Sequence, residues 1–303
     1  MDTDSRLALF AEVVDSGSFS AVARRQRSTR ANVARQIAQL EAELGARLLN
    51  RSTRSMSATD LGLRVYERAQ RIREQLREVA EMAEDAHDAV RGELRITSVV
   101  HFGRHYVQPV ALDFVREHPE VQIDLRLDDR VEDVVGEGFD LAVRVGRSAD
   151  SSLITRRIAD VDVVICAAPS LLSVQREPAH PSELAELDCV IYASDQVVVD
   201  RWQYTEAGIV DVVQVKSRYR VNHGELLIEA VERGLGFALL PRFLAADALR
   251  TGRLVQVLAQ YPLPPYAPLH AVYPAREYLP RKTRAFLDRL LAHVGEPPRW
   301  LAP

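Results

Sequence analysis

The stretch RSTRANVARQIAQLE, Arg27 to Glu41, carries side chains whose types suit one chemistry, the reading of base edges. Arginine can fork onto guanine O6 and N7, and asparagine or glutamine can pair with adenine N6 and N7. Arg27, Arg30 and Arg35 stand there against Glu41 alone, and Asn32, Arg35, Gln36 and Gln39 fall on one helical face. Val33, Ile37 and Leu40 recur at steps of four and three, which is the apolar stripe of an α-helix. Such a helix buries one side and offers guanidiniums and amides on another. Between positions 20 and 57 there are eight arginines against two acids, in a chain whose net charge is −4. A local positive field in an acidic protein marks a site for an anionic partner, or else a solvated basic surface. All eight are arginine, the better fork for guanine and phosphate.

Catalytic patterns are missing. His101, His105, His118, His223 and Asp140 form no HExxH, and the two cysteines form no CxxC, so the sequence implies no metal and no cofactor. No GxSxG elbow or Gly-rich phosphate loop occurs, which speaks against an enzyme. Cys166 sits in the apolar run VDVVICAAP and reads as a small buried hydrophobe, and Cys166 and Cys189 are too few for a disulfide framework. A chain of 303 residues with 47% hydrophobic and 27% charged residues is long enough for two or three cored domains. No apolar run approaches the ~20 residues of a membrane span. The start, MDTDSRLALF, is acidic before it is apolar, unlike a secretory leader. The expectation is a cytoplasmic protein without a membrane partner.

Three elements must hold the basic helix. Leu7, Phe10 and Val14 stripe a first helix, and DSGS breaks it. Ser18 or Ser20 can cap a second helix, and Thr29 can cap the third, with Gly45 ending it. Val33, Ile37, Leu40 and Leu44 would pack this third helix on the other two. LLNRSTRSMSATD then suits a small hairpin, so residues 1–60 have the plan of a winged helix-turn-helix. Next, Val65, Ala69, Ile72, Leu76, Val79, Ala83 and Ala86 keep alternating steps of four and three. That heptad seam predicts a long helix over 61–91, started by Thr59 or Asp60 and ended by Gly92, which joins two copies of the chain. The alternative packs the same helix on its own domain.

From Glu93 the period changes. ELRITSVV, VQIDLRL, FDLAVRVG and VDVVICAAP read as strands, with HYVQPVALDFVREHP a helix between the first two. CVIYA, VVQVKSRYRV, GELLIEAVERG, GFALLP, PLHAVYPA and RKTRAFLDRLLAHVG continue the alternation. The pattern predicts a parallel α/β sheet in each of two lobes, about 92–166 with 267–303 and about 167–266, crossed twice by the chain.

These segments together resemble LysR-type transcriptional regulators over essentially the full length. LALFAEVVDSGSFSAVARR, VARQIAQLEAELGARLLNRSTRSMSAT and GLRVYERA carry the likeness in the first part. GELRITS, FDLAVRVGRSADSSL and VNHGELLIEAVERGLGFALLP carry it in the second. The resemblance implies an α/β protein with a winged helix-turn-helix, a linker helix and a two-lobed domain similar to periplasmic binding proteins. It also implies a dimer or tetramer on double-stranded DNA, with a small effector in the cleft between the lobes. By the same likeness, base contacts gather at Thr29, Arg30, Ala31 and Asn32, with Arg35 near bases or phosphate and Gln36 on the same face. Arg51, Thr53 and Arg54 match a wing on the DNA backbone. Gln26, Arg27 and Ser28 depart from the family's small or apolar turn, and Thr29-Arg30-Ala31-Asn32 replaces its Ser-Gln-Ser/Pro-Ala run. A shift of base preference toward guanine under Arg30 follows, unless Arg27 and Arg30 reach only phosphates.

The resemblance places the effector against Ser98, Val99, His101 and Phe102, then Arg144 and Val145, then Tyr192 to Asp195, then Asn222 and His223. A free helix N-terminus beside Ser98 and a forked Arg144 would suit a carboxylate. Phe102 would supply an apolar wall, so a small organic or aromatic acid is the expected ligand. An internal salt bridge from Arg144 to Asp140 or Asp162 is the competing reading, and a stand-alone solute-binding protein is the competing function.

Overall fold

A computed structural model describes residues 3–51, 56–85, 90–129, 137–146, 153–195, 197–274 and 279–301. The chain divides into two compact units, the first mainly Met1–Ala89 and the second Val90–Val134 with Phe139–Pro303.

In the first unit, helices α1 (Thr3–Ser16), α2 (Phe19–Arg25) and α3 (Arg30–Leu44) precede a hairpin of β1 (Leu49–Arg51) and β2 (Met56–Ala58) and the long helix α4 (Asp60–Asp85). Local chemistry sets each boundary. The Ser18 hydroxyl accepts from the Ala21 amide and the Thr29 hydroxyl from the Asn32 amide, so both helices start on a capped turn. Gly45 ends α3 in the left-handed region at φ 63°. Leu9, Phe10, Val13, Val22, Val33, Ile37, Leu40 and Leu48 close one apolar core. Leu44, expected among them, is 45% exposed: α1 meets the last turn of α3 through Glu43, which accepts from Thr3 and Arg6, and one residue further is a turn of ~100° away from that face. The Glu41 carboxylate accepts from the Leu48 and Leu49 amides and so fixes the hairpin to α3.

In the second unit, β3 (Gly92–Ser98) is followed by α5 (Val100–Phe102), a π-helical turn (Gly103–Val107), α6 (Gln108–Glu117), β4 (Val121–Leu127), β5 (Leu141–Val145) and β6 (Leu153–Ala159). Then come β7 (Val163–Ala167), α7 (Pro169–Val174), β8 (Asp188–Tyr192), β9 (Arg201–Glu206), β10 (Ile209–Gln214), β11 (Lys216–Val221), α8 (Gly224–Glu232), β12 (Ala238–Pro241), α9 (Arg242–Arg250) and β13 (Val255–Val257). The chain closes with β14 (Leu269–Pro274) and α10 (Arg281–Val294). One lobe is a five-stranded sheet in the order β4-β3-β5-β14-β6, and the other holds β12-β7-β13 and the pair β11-β8.

The sheets are mixed rather than parallel. β3 runs parallel to β4 and β5, while β14, returning from the other lobe, lies antiparallel to β5 and β6. β7 pairs only with β12 and β13, so the first crossing falls before Val163, earlier than the expected boundary near 166. The Tyr266 amide donates to the Val161 carbonyl and ties the two crossing segments together. The run VVQVKSRYRV is not one strand. It contributes to β10, which returns on β9 through Ala207 and Gly208, both at positive φ, and then, past Val215, forms β11. Gly92, expected to end the linker helix, is already the first residue of β3.

Candidate functional site

The first unit presents the N-terminal end of α3. Thr29, Arg30, Ala31 and Arg35 are exposed there, as is Arg27 in the preceding turn. Arg27 adopts a left-handed backbone at φ 49°, which turns the chain sharply between α2 and α3. Asn32 is half-buried in a local relay: its amide nitrogen donates to the Ser28 hydroxyl, and its carbonyl accepts from Arg35 at 2.9 Å. That relay aims the Arg35 guanidinium. Gln36 departs from expectation. One residue beyond Arg35 is a turn of ~100° about the helix, and Gln36 there accepts from the Arg6 guanidinium of α1 at 3.1 Å. It braces the domain instead of sharing the exposed face. Arg51 ends β1, at the tip of the hairpin. Thr53 and Arg54 lie outside the described residues.

The seam of α4 splits in use. Val65 packs on the helix-turn-helix core, Ala69 is 1% exposed, and Tyr66 and Gln70 donate to Asp15 of α1. These turns belong to their own domain. Ile72 is half-buried and Leu76 is 59% exposed, so the outward stripe begins later than the heptad pattern indicates. Val79 and Ala83 lie within α4, but their side chains, and Ala86 as a whole, fall outside the description.

In the second unit a cavity of about 470 Å³ lies between the two sheets. Such a volume suits a small-molecule ligand. Val99, His101, Arg144, Val145 and Tyr192 line it, as the sequence reading expected. Ser98, Phe102, Asn222 and His223 do not. Ser98 is fully buried with its hydroxyl on the Val99 carbonyl. Phe102 is also fully buried, stacked on Tyr106 with its edge against Phe243 and Trp300, since one residue past His101 is a turn of ~100° about the helix. Asn222 is exposed, and His223 takes the N-cap position of α8 without a side-chain cap bond. The helix N-terminus is filled from within, because the Val100 amide donates to Asp129 at 2.8 Å. Asp129, Val163, Leu227, Leu239, Phe243, Leu244 and Tyr266 are also part of the wall. They come from distant segments, and no local spacing in the sequence signals them.

Arg144 is the cation of this wall among the described lining residues. Its guanidinium donates to the Asp128 carbonyl at 3.0 Å and to the Thr97 hydroxyl at 2.9 Å. Asp140 accepts from the Arg95 amide at 2.8 Å. His101 is pushed down to about 3, first by burial and then by the neighbouring His105 and Arg104. A carboxylate oxygen of Glu225 is 3.9 Å from His101 Nδ1, too far for a hydrogen bond, so burial prevails and the ring is neutral. Burial also raises Tyr192 and Tyr266, which stay protonated in the wall.

A capped helix-turn-helix with a hairpin, and a two-lobed α/β unit with a ligand-sized cavity, define a DNA-binding regulator that answers to a small molecule. Comparison with known proteins narrows the class. The model of the bacterial regulatory helix-turn-helix protein, lysR family, matches residues 5–63, and that of the LysR substrate binding domain matches 87–295. The chain is 33% identical to the probable HTH-type transcriptional regulator LtrA of Klebsiella pneumoniae, over 94% of this chain and 92% of that one. It is 31% identical to the HTH-type transcriptional regulator DmlR of Escherichia coli, over 96% and 94%. The full-length structure of the Vibrio cholerae virulence activator AphB aligns with a TM-score of 0.63 at 29% identity, covering 96% of this chain and 99% of that one. CrgA of Neisseria meningitidis aligns at 0.62 and 28%, covering 96% and 98%. The chain belongs to the LysR family of transcriptional regulators. It is accordingly a regulator acting on DNA through its helix-turn-helix and on a small effector through its substrate-binding domain, and not an enzyme. No helix among the described residues is long and apolar enough to cross a membrane.

Proposed function

We propose that this regulator responds to a small organic acid, whose carboxylate meets Arg144 while an apolar or aromatic body lies against Val163, Leu227, Leu239 and Phe243. The observation that carries this reading is a guanidinium at the wall of a mainly apolar cavity, positioned by its bonds to the Asp128 carbonyl and the Thr97 hydroxyl. A pre-positioned arginine loses little rotamer freedom on meeting a carboxylate. The assignment of 1–60 to DNA, 61–91 to self-association and 92–303 to the effector belongs to the same proposal, as does action in the cytoplasm. So does DNA contact through Arg27, Thr29, Arg30, Ala31, Asn32, Arg35 and the hairpin, with Gln36 supporting the helix from behind.

The test is fluorescence anisotropy on duplex DNA from directly upstream of the protein's own gene, titrated with aliphatic and aromatic acids and with their amides. One acid shifts the DNA affinity and its amide does not. Arg144→Gln weakens that acid by roughly 10- to 150-fold, the worth of a hydrogen-bonded charge at ~1.5–3 kcal/mol. Equal response to acid and amide would refute the carboxylate reading.

A further inference from the structure

His101 and His105 are four residues apart in sequence, a spacing that matches no metal motif by itself. The fold adds a third donor from far away. Nitrogens of His101 and His105 and a carboxylate oxygen of Glu225, on α8, all lie within 4.8 Å of one another. Glu225 Oε1 is 3.9 Å from His101 Nδ1 and 3.9 Å from His105 Nε2. The two imidazoles stack with centroids 4.2 Å apart.

His101 is set up as a ligand. Its Nδ1 is buried and makes no hydrogen bond among the described residues. The Phe243 backbone lies against the ring, and a ring that carries its proton on Nε2 presents Nδ1 as a bare lone pair. A histidine that ligates a metal commonly gives its other N–H to a backbone carbonyl in this way. In that tautomer the lone pair faces a Glu225 carboxylate oxygen 3.9 Å away, an arrangement a cation relieves. Gly103 holds the segment close to the sheet, since a Cβ there would lie 2.2 Å from Leu127 and 3.1 Å from Ser98. The π-helical turn that starts at Gly103 carries His105, and such turns gather at functional sites.

We propose that His101, His105 and Glu225 bind one divalent transition-metal ion, with zinc the natural occupant. Two imidazoles and one carboxylate are a zinc ligand set that leaves a fourth position for water. Tetrahedral donors at zinc bond lengths sit about 3.4 Å apart, so separations of 3.9 Å to Glu225, and of no more than 4.8 Å within the set, close by rotation of the three side chains, the two imidazoles unstacking as they turn. Calcium and magnesium are excluded by the nitrogen donors. The opposing charge is Arg104, whose guanidinium donates to both Glu225 oxygens at 2.9 and 2.8 Å. Arg104 is 58% exposed, so it can swing into water, and Glu225 keeps lone pairs for both cations. The ion would join α5 and the π-helical turn of one lobe to α8 of the other. His101 also lines the effector cavity, so the metal would stiffen one wall of it.

The test uses the full chain stripped with a chelator, titrated with zinc by calorimetry, and loaded separately with cobalt(II) as a spectroscopic probe. One zinc per chain is expected, with His105→Gln and Glu225→Gln each weakening it at least tenfold while far-UV circular dichroism is unchanged. The cobalt form is expected to show the intense visible bands of a four-coordinate site. No saturable zinc binding, or equal affinity in both variants, overturns the proposal. Should a variant lose its native dichroism, the wild-type cobalt spectrum decides, and weak bands of six-coordinate surface cobalt overturn it. No effector or DNA is present in these measurements, so they stand or fall apart from the organic-acid reading.

Discussion

Gly62→Ala is the substitution on which helix propensity and tertiary structure disagree in sign. Gly62 is in the first turn of α4, where alanine is favoured over glycine by ~1 kcal/mol. A Cβ built there, however, lies 2.0 Å from the Leu48 carbonyl oxygen and 2.9 Å from its carbon. Relief needs a backbone shift of about 1 Å or more between α4 and the hairpin. The same shift strains two bonds that join them, from the Thr59 amide to the Leu48 carbonyl and from the Thr59 hydroxyl to the Arg47 carbonyl, each at 2.9 Å. Overpacking costs ~1–3 kcal/mol, and strain of about 0.5 kcal/mol in each of the two hydrogen bonds cancels the ~1 kcal/mol propensity gain. The net is a loss of roughly 1–3 kcal/mol in the first unit. Hydrogen exchange followed by mass spectrometry on the full chain reads that unit locally. Peptides covering Leu9–Val13 and Val33–Leu40 should lose protection by roughly 5- to 150-fold. Affinity for the upstream duplex should fall too, because the hairpin is displaced from α3. Unchanged or increased protection would refute the reasoning and return the position to simple propensity.

Arg30→Ala separates base readout from phosphate contact: relaxed choice at one base pair with a loss of ~1–3 kcal/mol supports readout, and a uniform loss with a salt slope smaller by about one supports phosphate. Arg27→Gly removes left-handed strain of ~1–2 kcal/mol less the ~0.5–1 that glycine costs in the unfolded chain. Exchange protection of α2 and α3 should therefore hold or rise slightly while DNA affinity falls, and a parallel fall of both would contradict it. Cys166 and Cys189 are both pushed up to about 12, chiefly by burial. Native protein should react with a thiol reagent at pH 8 only as fast as it opens. The unfolded thiol ionises near ~8.5, so these groups cost stability as pH rises past that value towards 12, and fast labelling of the native state would contradict the burial. Leu76→Glu should lower the sedimentation mass of the oligomer at micromolar concentration, and an unchanged mass would move the interface away from α4.

Local signals in the sequence determined a good deal about this protein. The stripe of Val33, Ile37 and Leu40, the caps at Ser18 and Thr29 and the stop at Gly45 act over one or two helical turns, so their chemistry is written in adjacent residues. The strands β3, β4, β5, β7, β8, β12 and β14 are legible for the same reason, whereas β6, β9 and β13 are not, and the ordered run of motifs is enough to suggest the family. Tertiary structure decided what depends on rotation and on distant partners. Gln36 and Arg35 are neighbours in sequence, yet α1 takes the first and leaves the second exposed. Val65 and Ala69 continue a perfect heptad, yet their own domain covers them. Phe102 is one residue from a cavity-lining histidine, and a turn of ~100° about the helix sends it into the core. The helix end beside Ser98 looked free because Asp129, which fills it, is 29 residues from Val100. Glu225 meets His101 and His105, more than a hundred residues away in the chain, only because the two lobes fold against each other. Periodicity reports which face an element shows to its neighbours in sequence, and only packing decides which neighbour in space arrives there.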